Sequence, residues 1–200
     1  GTGGFAIKND SMASYSPYLQ NVTTVFMILF GVNFNAYFLI LMKRAKQLRY
    51  AEEVWSYLGI IGVSVAAIAI NIRHMYGTLE ETVRHAAFQV ASIITTTGYS
   101  SVDFDQWPEF ARTILVVLMF IGACAGSTGG GLKVSRVLIL CKSVRQEFHY
   151  FLHPREVRSL RMEGRPLEQD TVRSVNVYLA TYVLVFTLSI LLVGLDNEGL

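Results

Sequence analysis

Thr95-Thr96-Thr97-Gly98-Tyr99 sets three hydroxyl residues, a glycine and an aromatic side by side, at the end of a short helix-like stretch that begins at Val83. About 12 residues at a rise of 1.5 Å cover only ~18 Å, too little to cross a hydrocarbon core of ~30 Å. Such a segment can enter a bilayer and turn back. Non-helical backbone at that depth is tolerated only where protein encloses it or where it lines a water-filled path. The stretch therefore reads as a re-entrant pore helix, and the five residues after it as a loop facing such a path.

The rest of the chain supplies a membrane frame for this segment. Of 200 residues, 52% are hydrophobic and 16% charged, against about a quarter charged in soluble domains. Four apolar segments run roughly over 18–42, 54–72, 110–140 and 175–195. The first, second and fourth fit single spans; the third is long enough only when counted through its glycines. Lys43, Arg44, Lys46 and Arg49 follow the first segment, and Lys133 through Arg173 carry nine more basic residues, whereas Lys8, Arg73, Arg84 and Arg112 are alone on the opposite side. This positive-inside bias places residues 43–53 and 142–172 in the cytoplasm, and Gly1, 73–109 and Asp196 outside. Residues 142–172, with Pro154 and Pro166, read as a cytoplasmic linker with room for an interfacial helix. A net charge of +2 makes no case for a nucleic-acid partner. Cys124 and Cys141 suggest small buried side chains rather than a disulfide. The chain starts at Gly1 and stops just past an apolar run, as an internal piece of a longer protein would.

An internal repeat strengthens the frame. Thr2-Gly3-Gly4-Phe5-Ala6 lies over Thr96-Thr97-Gly98-Tyr99-Ser100 at an offset of 94 residues, each copy followed by an acidic residue, Asp10 or Asp103, and then by an inward apolar helix ending in basic residues. A unit of that size holds an outer helix, a pore helix, a filter and an inner helix. A potassium ion sheds water in a narrow pore if rings of backbone carbonyls replace it. Gly98 permits the backbone angles this needs, the threonine hydroxyls can add an oxygen layer, and the Tyr99 ring can pack outward to hold the width. The C-terminus of the pore helix, carrying roughly −0.5 charge, would face the cation. Asp103 and Asp105 sit where carboxylates can concentrate cations, or are simply solvated.

Gly126-Ser127-Thr128-Gly129-Gly130-Gly131 interrupts the third apolar segment. Each glycine costs about 1 kcal/mol in a helix relative to alanine, so four in six residues break it and leave irregular backbone below the filter. Lys133, at the inner end of the break, can hold the loop through a carboxylate or carbonyl, or mark the cytoplasmic interface by snorkelling. His74, His85, His149 and His153 share no metal-ligand spacing and read as loop or interfacial residues. Asn33, Asn35 and Asn71 suit hydrogen bonds between helices. Trp55 and Trp107 stand at helix ends, as interfacial anchors do. No nucleophile–base arrangement suggests an enzyme.

The filter Thr95–Tyr99, followed by an inner helix carrying Gly122-Ala-Cys-Ala-Gly-Ser-Thr-Gly-Gly-Gly-Leu-Lys133, resembles the Trk/Ktr potassium uptake family over essentially the whole chain. The resemblance implies an all-α membrane protein of four pseudo-repeats. Residues 1–53 would be the second filter and its inner helix, 54–145 the complete third repeat, and 146–200 the linker and the outer helix of the fourth. It places potassium-binding carbonyls on Thr2, Gly3, Gly4 and Phe5 and on Thr95 through Tyr99, with the ion held at Thr2, Gly3, Gly4, Thr96, Thr97 and Gly98. It makes Gly126 through Gly131, with Lys133, a gate loop that obstructs the pore and moves to open it. It implies potassium as transported ligand with no bound cofactor, a homodimer in a bacterial inner membrane, and a cytosolic nucleotide-binding regulatory subunit of the TrkA type docking on the basic inner face. Channel and ion-coupled symport both stay open, as do a sodium-conducting or poorly selective relative and a non-transporting regulatory subunit.

Overall fold

The computed structural model describes residues 3–44, 48–153 and 160–195, with the side chain of Arg165 excepted. Thr2 of the first filter lies outside the described residues, as do Gly1, Lys46, Pro154, Arg155, Arg158 and Asp196. Among the described residues the protein is all-α apart from one ribbon of two-residue strands. It divides into two compact units, residues 1–135 and 136–200.

In the first unit, three helices begin at a side-chain cap that the sequence supplies. Helix α1 (Pro17–Phe30) starts with proline in its first turn and with the Ser16 hydroxyl accepting from the Leu19 N–H at 3.4 Å. Helix α2 (Phe34–Leu41) is capped by Asn33, whose Oδ1 accepts from the Asn35 N–H at 2.8 Å. Helix α3 (Glu52–Ile72) carries two glutamates in its first turn and runs 21 residues, about 32 Å. Its buried side chains include Val54, Tyr57, Ile61, Ser64, Ile68 and Ile72, spaced three or four apart, yet Leu58, Val63 and Ile70 on its exposed sides are apolar as well. A helix apolar all round suits a bilayer, not water. Helix α4 (Leu79–Ile94), which contains the short segment expected to re-enter the membrane, is 16 residues long, with the Thr78 hydroxyl accepting from the Glu81 N–H at 3.2 Å. It is the most enclosed element, packed against α1, α3 and α5 (Glu109–Ile121). Phe88 and Ala91 of α4 form a small core with Met27 of α1, and the Tyr99 ring packs against it.

The second unit holds most of α6 (Val134–Leu152), an antiparallel ribbon of β1 (Arg161–Met162) and β2 (Arg165–Pro166), and α7 (Gln169–Leu195). Lys142 Nζ donates to the Arg161 carbonyl at 2.9 Å, and the Arg136 guanidinium lies over the Tyr178 ring. Helix α7 is 27 residues long with almost no buried side chain and is, like α3, long and apolar enough to cross a membrane.

Several expectations need correction. The segment 18–42 is not one straight helix: α1 and α2 meet at 89° across residues 31–33. The glycine break is twice as wide as Gly126–Gly131, since α5 ends at Ile121 and α6 starts at Val134. Of the expected linker, 142–152 continues α6 and 169–172 already belongs to α7. Trp107 is no interfacial anchor; it is 2% exposed and donates its indole N–H to the Tyr76 hydroxyl at 3.0 Å. His85 is buried, with Nδ1 3.0 Å from the Ser101 hydroxyl, and Cys141 is exposed where a buried thiol was expected. Asn71 is in α3 with a buried Oδ1 that has no hydrogen-bond partner.

Candidate ion path: two filter loops and a broken inner helix

The end of α4 sets the direction of the filter peptides. The N–H groups of Thr95 and Thr96 donate to the carbonyls of Ala91 and Ile93 at 3.1 and 3.0 Å. Those of Thr97 and Gly98 both donate to the Ser92 carbonyl, at 2.9 and 3.4 Å. No peptide here is cis, and across a trans peptide the N–H and the preceding C=O point opposite ways. The carbonyls of Thr95, Thr96 and Thr97 are therefore turned away from α4. This alternation puts Thr96 (φ 55°) and Gly98 (φ 81°) in the left-handed region, which suits the glycine and strains the β-branched threonine. Tyr99 leaves the path: its ring joins the Met27–Phe88–Ala91 core, and its carbonyl accepts from the Ser92 hydroxyl at 2.6 Å.

The first filter loop lies directly against the second. Gly4 N–H donates to the Thr97 carbonyl at 2.8 Å, and a Cβ built on Gly4 would stand 2.6 Å from the Gly98 oxygen. Just beyond, Met12 N–H donates to the Ser100 carbonyl at 2.9 Å and Ser100 N–H to the Ser11 hydroxyl at 3.1 Å. Gly3 and Gly4 have φ of 107° and 69°. Phe5 does not mirror Tyr99, being 88% exposed with its ring beside Gly3. The hydroxyls of Thr95 and Thr97 bond each other at 2.8 Å. Asp103 is committed locally: its carboxylate accepts from Asp105 N–H at 3.1 Å and from the Gln106 amide at 3.0 Å, while Asp105 is exposed.

The glycine break sits immediately under this filter. Its ends zip together, with Leu132, Lys133 and Val134 N–H donating to Phe120, Ile121 and Ala123 carbonyls at 3.1, 3.0 and 3.1 Å. Gly122 and Gly131 form the neck, and a Cβ on Gly122 would collide with the Gly130 carbonyl. At the tip, Gly130 N–H donates to the Thr96 hydroxyl at 2.8 Å, and a Cβ on Gly129 would lie 3.2 Å from the Thr95 oxygen. Lys133 Nζ donates to the Gly129 carbonyl, four residues back in the loop.

The loop is also tied to the bend between α1 and α2. Cys124 N–H donates to Gly31 O at 3.1 Å, Phe34 N–H to Gly126 O at 3.2 Å, and the Thr128 hydroxyl to Phe30 O at 3.3 Å. Gly31 is packed so closely that a Cβ would overlap the Tyr57 hydroxyl. A cavity of about 500 Å³ opens between Thr23, Phe26 and Phe30 of α1, the threonines 95 and 97, and Thr128. Sequence reasoning missed Gly31, Gly122 and Glu53, whose carboxylate accepts from the loop's Ala125 N–H, as parts of this assembly. The signal for Glu53 was an ionisable residue at the head of an apolar span.

The family profile of TrkH, described as a cation transport protein, matches residues 73–198. The Trk system potassium uptake protein TrkH of Escherichia coli K12 is 31% identical over 202 residues, covering 98% of this chain and 42% of that protein. TrkG of the same strain, also a Trk system potassium uptake protein, is 30% identical over 196 residues, 96% of this chain and 40% of the relative. The crystal structure of the potassium transporter TrkH from Vibrio parahaemolyticus superposes with a TM-score of 0.90 at 31% identity, covering 99% of this chain and 43% of that one. The chain thus spans well under half the length of the relatives it matches.

Proposed function

Because the chain belongs to the TrkH family of cation transport proteins, we propose that it builds part of a potassium uptake path, with Thr95–Tyr99 and the loop at Gly3–Phe5 as two adjoining filter segments. One observation carries this reading. The N–H groups of Thr95 through Gly98 are all turned back onto the end of α4, which directs the carbonyls of Thr95, Thr96 and Thr97 away from it. Carbonyls presented in this way can replace the water of a cation. The relatives at about 31% identity are potassium uptake proteins, and this supports potassium as the ion.

On the same reading the chain runs from a second filter to the outer helix of a fourth repeat, Thr2 belongs to the first of the two loops, and residues 122–133 obstruct the path until they move. Residues 43–53 and 142–172 face the cytoplasm of a bacterial inner membrane, as their basic residues favour. A homodimer, and a TrkA-type regulator at the basic inner face, complete the assembly.

The test uses the full-length protein in a bacterium stripped of its potassium uptake systems, with rubidium uptake as the readout. Uptake by the unaltered protein that Gly98→Asp abolishes supports the filter. Equal uptake by both means that Gly98 lines no ion path.

A further inference from the structure

Glu53 is a buried carboxylate, 3% exposed, and three helix beginnings meet at it. It lies in the first turn of its own helix, α3. Its Oε1 accepts from Ala125 N–H at 2.6 Å, inside the glycine break, and from Ser135 N–H at 3.1 Å, in the first turn of α6. Its Oε2 accepts from Asn33 Nδ2 at 3.4 Å, and Asn33 is the cap of α2. The need for an outside acceptor follows from the sequence. The first N–H groups of a helix have no partner within it, and the residue before α6 is Lys133, whose ammonium can only donate. A negative charge at a helix N-terminus is favourable, and here three such ends share one.

Resting on the pore reading above, we infer that Glu53 is the latch of the loop at 122–133, a positioning residue that holds the obstructing arrangement and couples it to the bend at residues 31–33. The loop cannot shift away from the filter while Ala125 and Ser135 both remain on Oε1. The same carboxylate grips Asn33, so release at one break loosens the other. Tyr57, one turn further along α3, holds the Ile28 carbonyl at 3.1 Å and keeps α3 registered against the end of α1.

The experiment uses the full-length protein in proteoliposomes, in a background whose only reactive cysteine replaces Thr128, an exposed residue of the loop. Glu53→Gln and Glu53→Ala are compared with the parent for the rate of thiol modification at position 128, for rubidium flux per folded protein, and for rubidium-over-sodium preference. The expected result is faster modification, severalfold for Gln and on the order of tenfold for Ala, with raised basal flux and unchanged ion preference. A residue needed only for folding would lower the yield without raising modification or flux. Modification rates equal to the parent's in both variants overturn the latch. Should Glu53→Ala not reach the membrane, Asn33→Asp sets a like charge beside Glu53 and is expected to raise modification in the same way; an unchanged rate there also overturns it. Gly98→Asp run alongside separates the two claims. Flux that survives it defeats the pore reading, and the latch is then decided by modification rate alone.

Discussion

Gly4 and Gly98 touch backbone to backbone: a Cβ on Gly98 would lie 2.8 Å from the Gly4 nitrogen, and one on Gly4 2.6 Å from the Gly98 oxygen. The two positions, 94 residues apart in the sequence, are also both in the left-handed region, at φ 69° and 81°. Each glycine is therefore required twice, by its own backbone angles and by the neighbour it faces.

Gly4→Ala should consequently be as damaging as Gly98→Ala, although it lies in a loop that resembles the second filter only weakly in sequence. A left-handed alanine costs about 1–2 kcal/mol before any clash is counted. Rubidium uptake is expected to fall at least tenfold in either variant with protein still in the membrane. Normal uptake by Gly4→Ala would separate the two loops functionally.

The bend at residues 31–33 depends on a glycine that no side chain can replace. Gly31→Ala would drive a methyl group onto the Tyr57 hydroxyl and to 2.9 Å from the Thr95 methyl. Over-packing of this kind costs roughly 1–3 kcal/mol. A lowered thermal midpoint in detergent is expected, partly restored by adding Tyr57→Phe, which removes the hydroxyl that is struck first. An unchanged midpoint for Gly31→Ala would mean that the bend relaxes freely.

Sidedness follows from the basic residues and is open to labelling. Asp105 and Glu147 are both exposed. With the native cysteines replaced, a membrane-impermeant maleimide should label Asp105→Cys from outside intact cells and Glu147→Cys only from the cytoplasmic side. The opposite pattern would invert the topology; labelling of both from one side would mean that the segment between them does not cross the membrane.

The positions of α4, of the Thr-Gly-Tyr loop after it and of the glycine-rich interruption were legible in the sequence because each is written in neighbouring residues. A helix too short to cross, a Thr-Thr-Thr-Gly-Tyr run and clustered glycines carry their meaning locally. Gly4 and Gly98, the two positions paired by the repeat offset, lie against each other. The bend after Phe30 was not legible. One glycine inside an apolar run is compatible with a straight helix, and only the neighbours of Gly31, namely Tyr57 and Thr95, show that the chain must leave its axis there. The width of the loop escaped for a related reason. Gly122 reads as one more glycine in an apolar helix until its contact with Gly130 and Gly131 reveals a neck.

The sequence by itself determined that this chain carries apolar segments long enough to cross a membrane beside a shorter one that is not. This follows from the solvation of side chains and backbone, which act residue by residue. Only the tertiary structure decided what closes the gap beneath the filter. The Ser135 N–H, in the first turn of α6, finds its acceptor in Glu53, 82 residues away. A hydrogen bond between distant segments leaves no periodic mark in either of them, so the carboxylate that joins both broken helices becomes visible only when they are brought together.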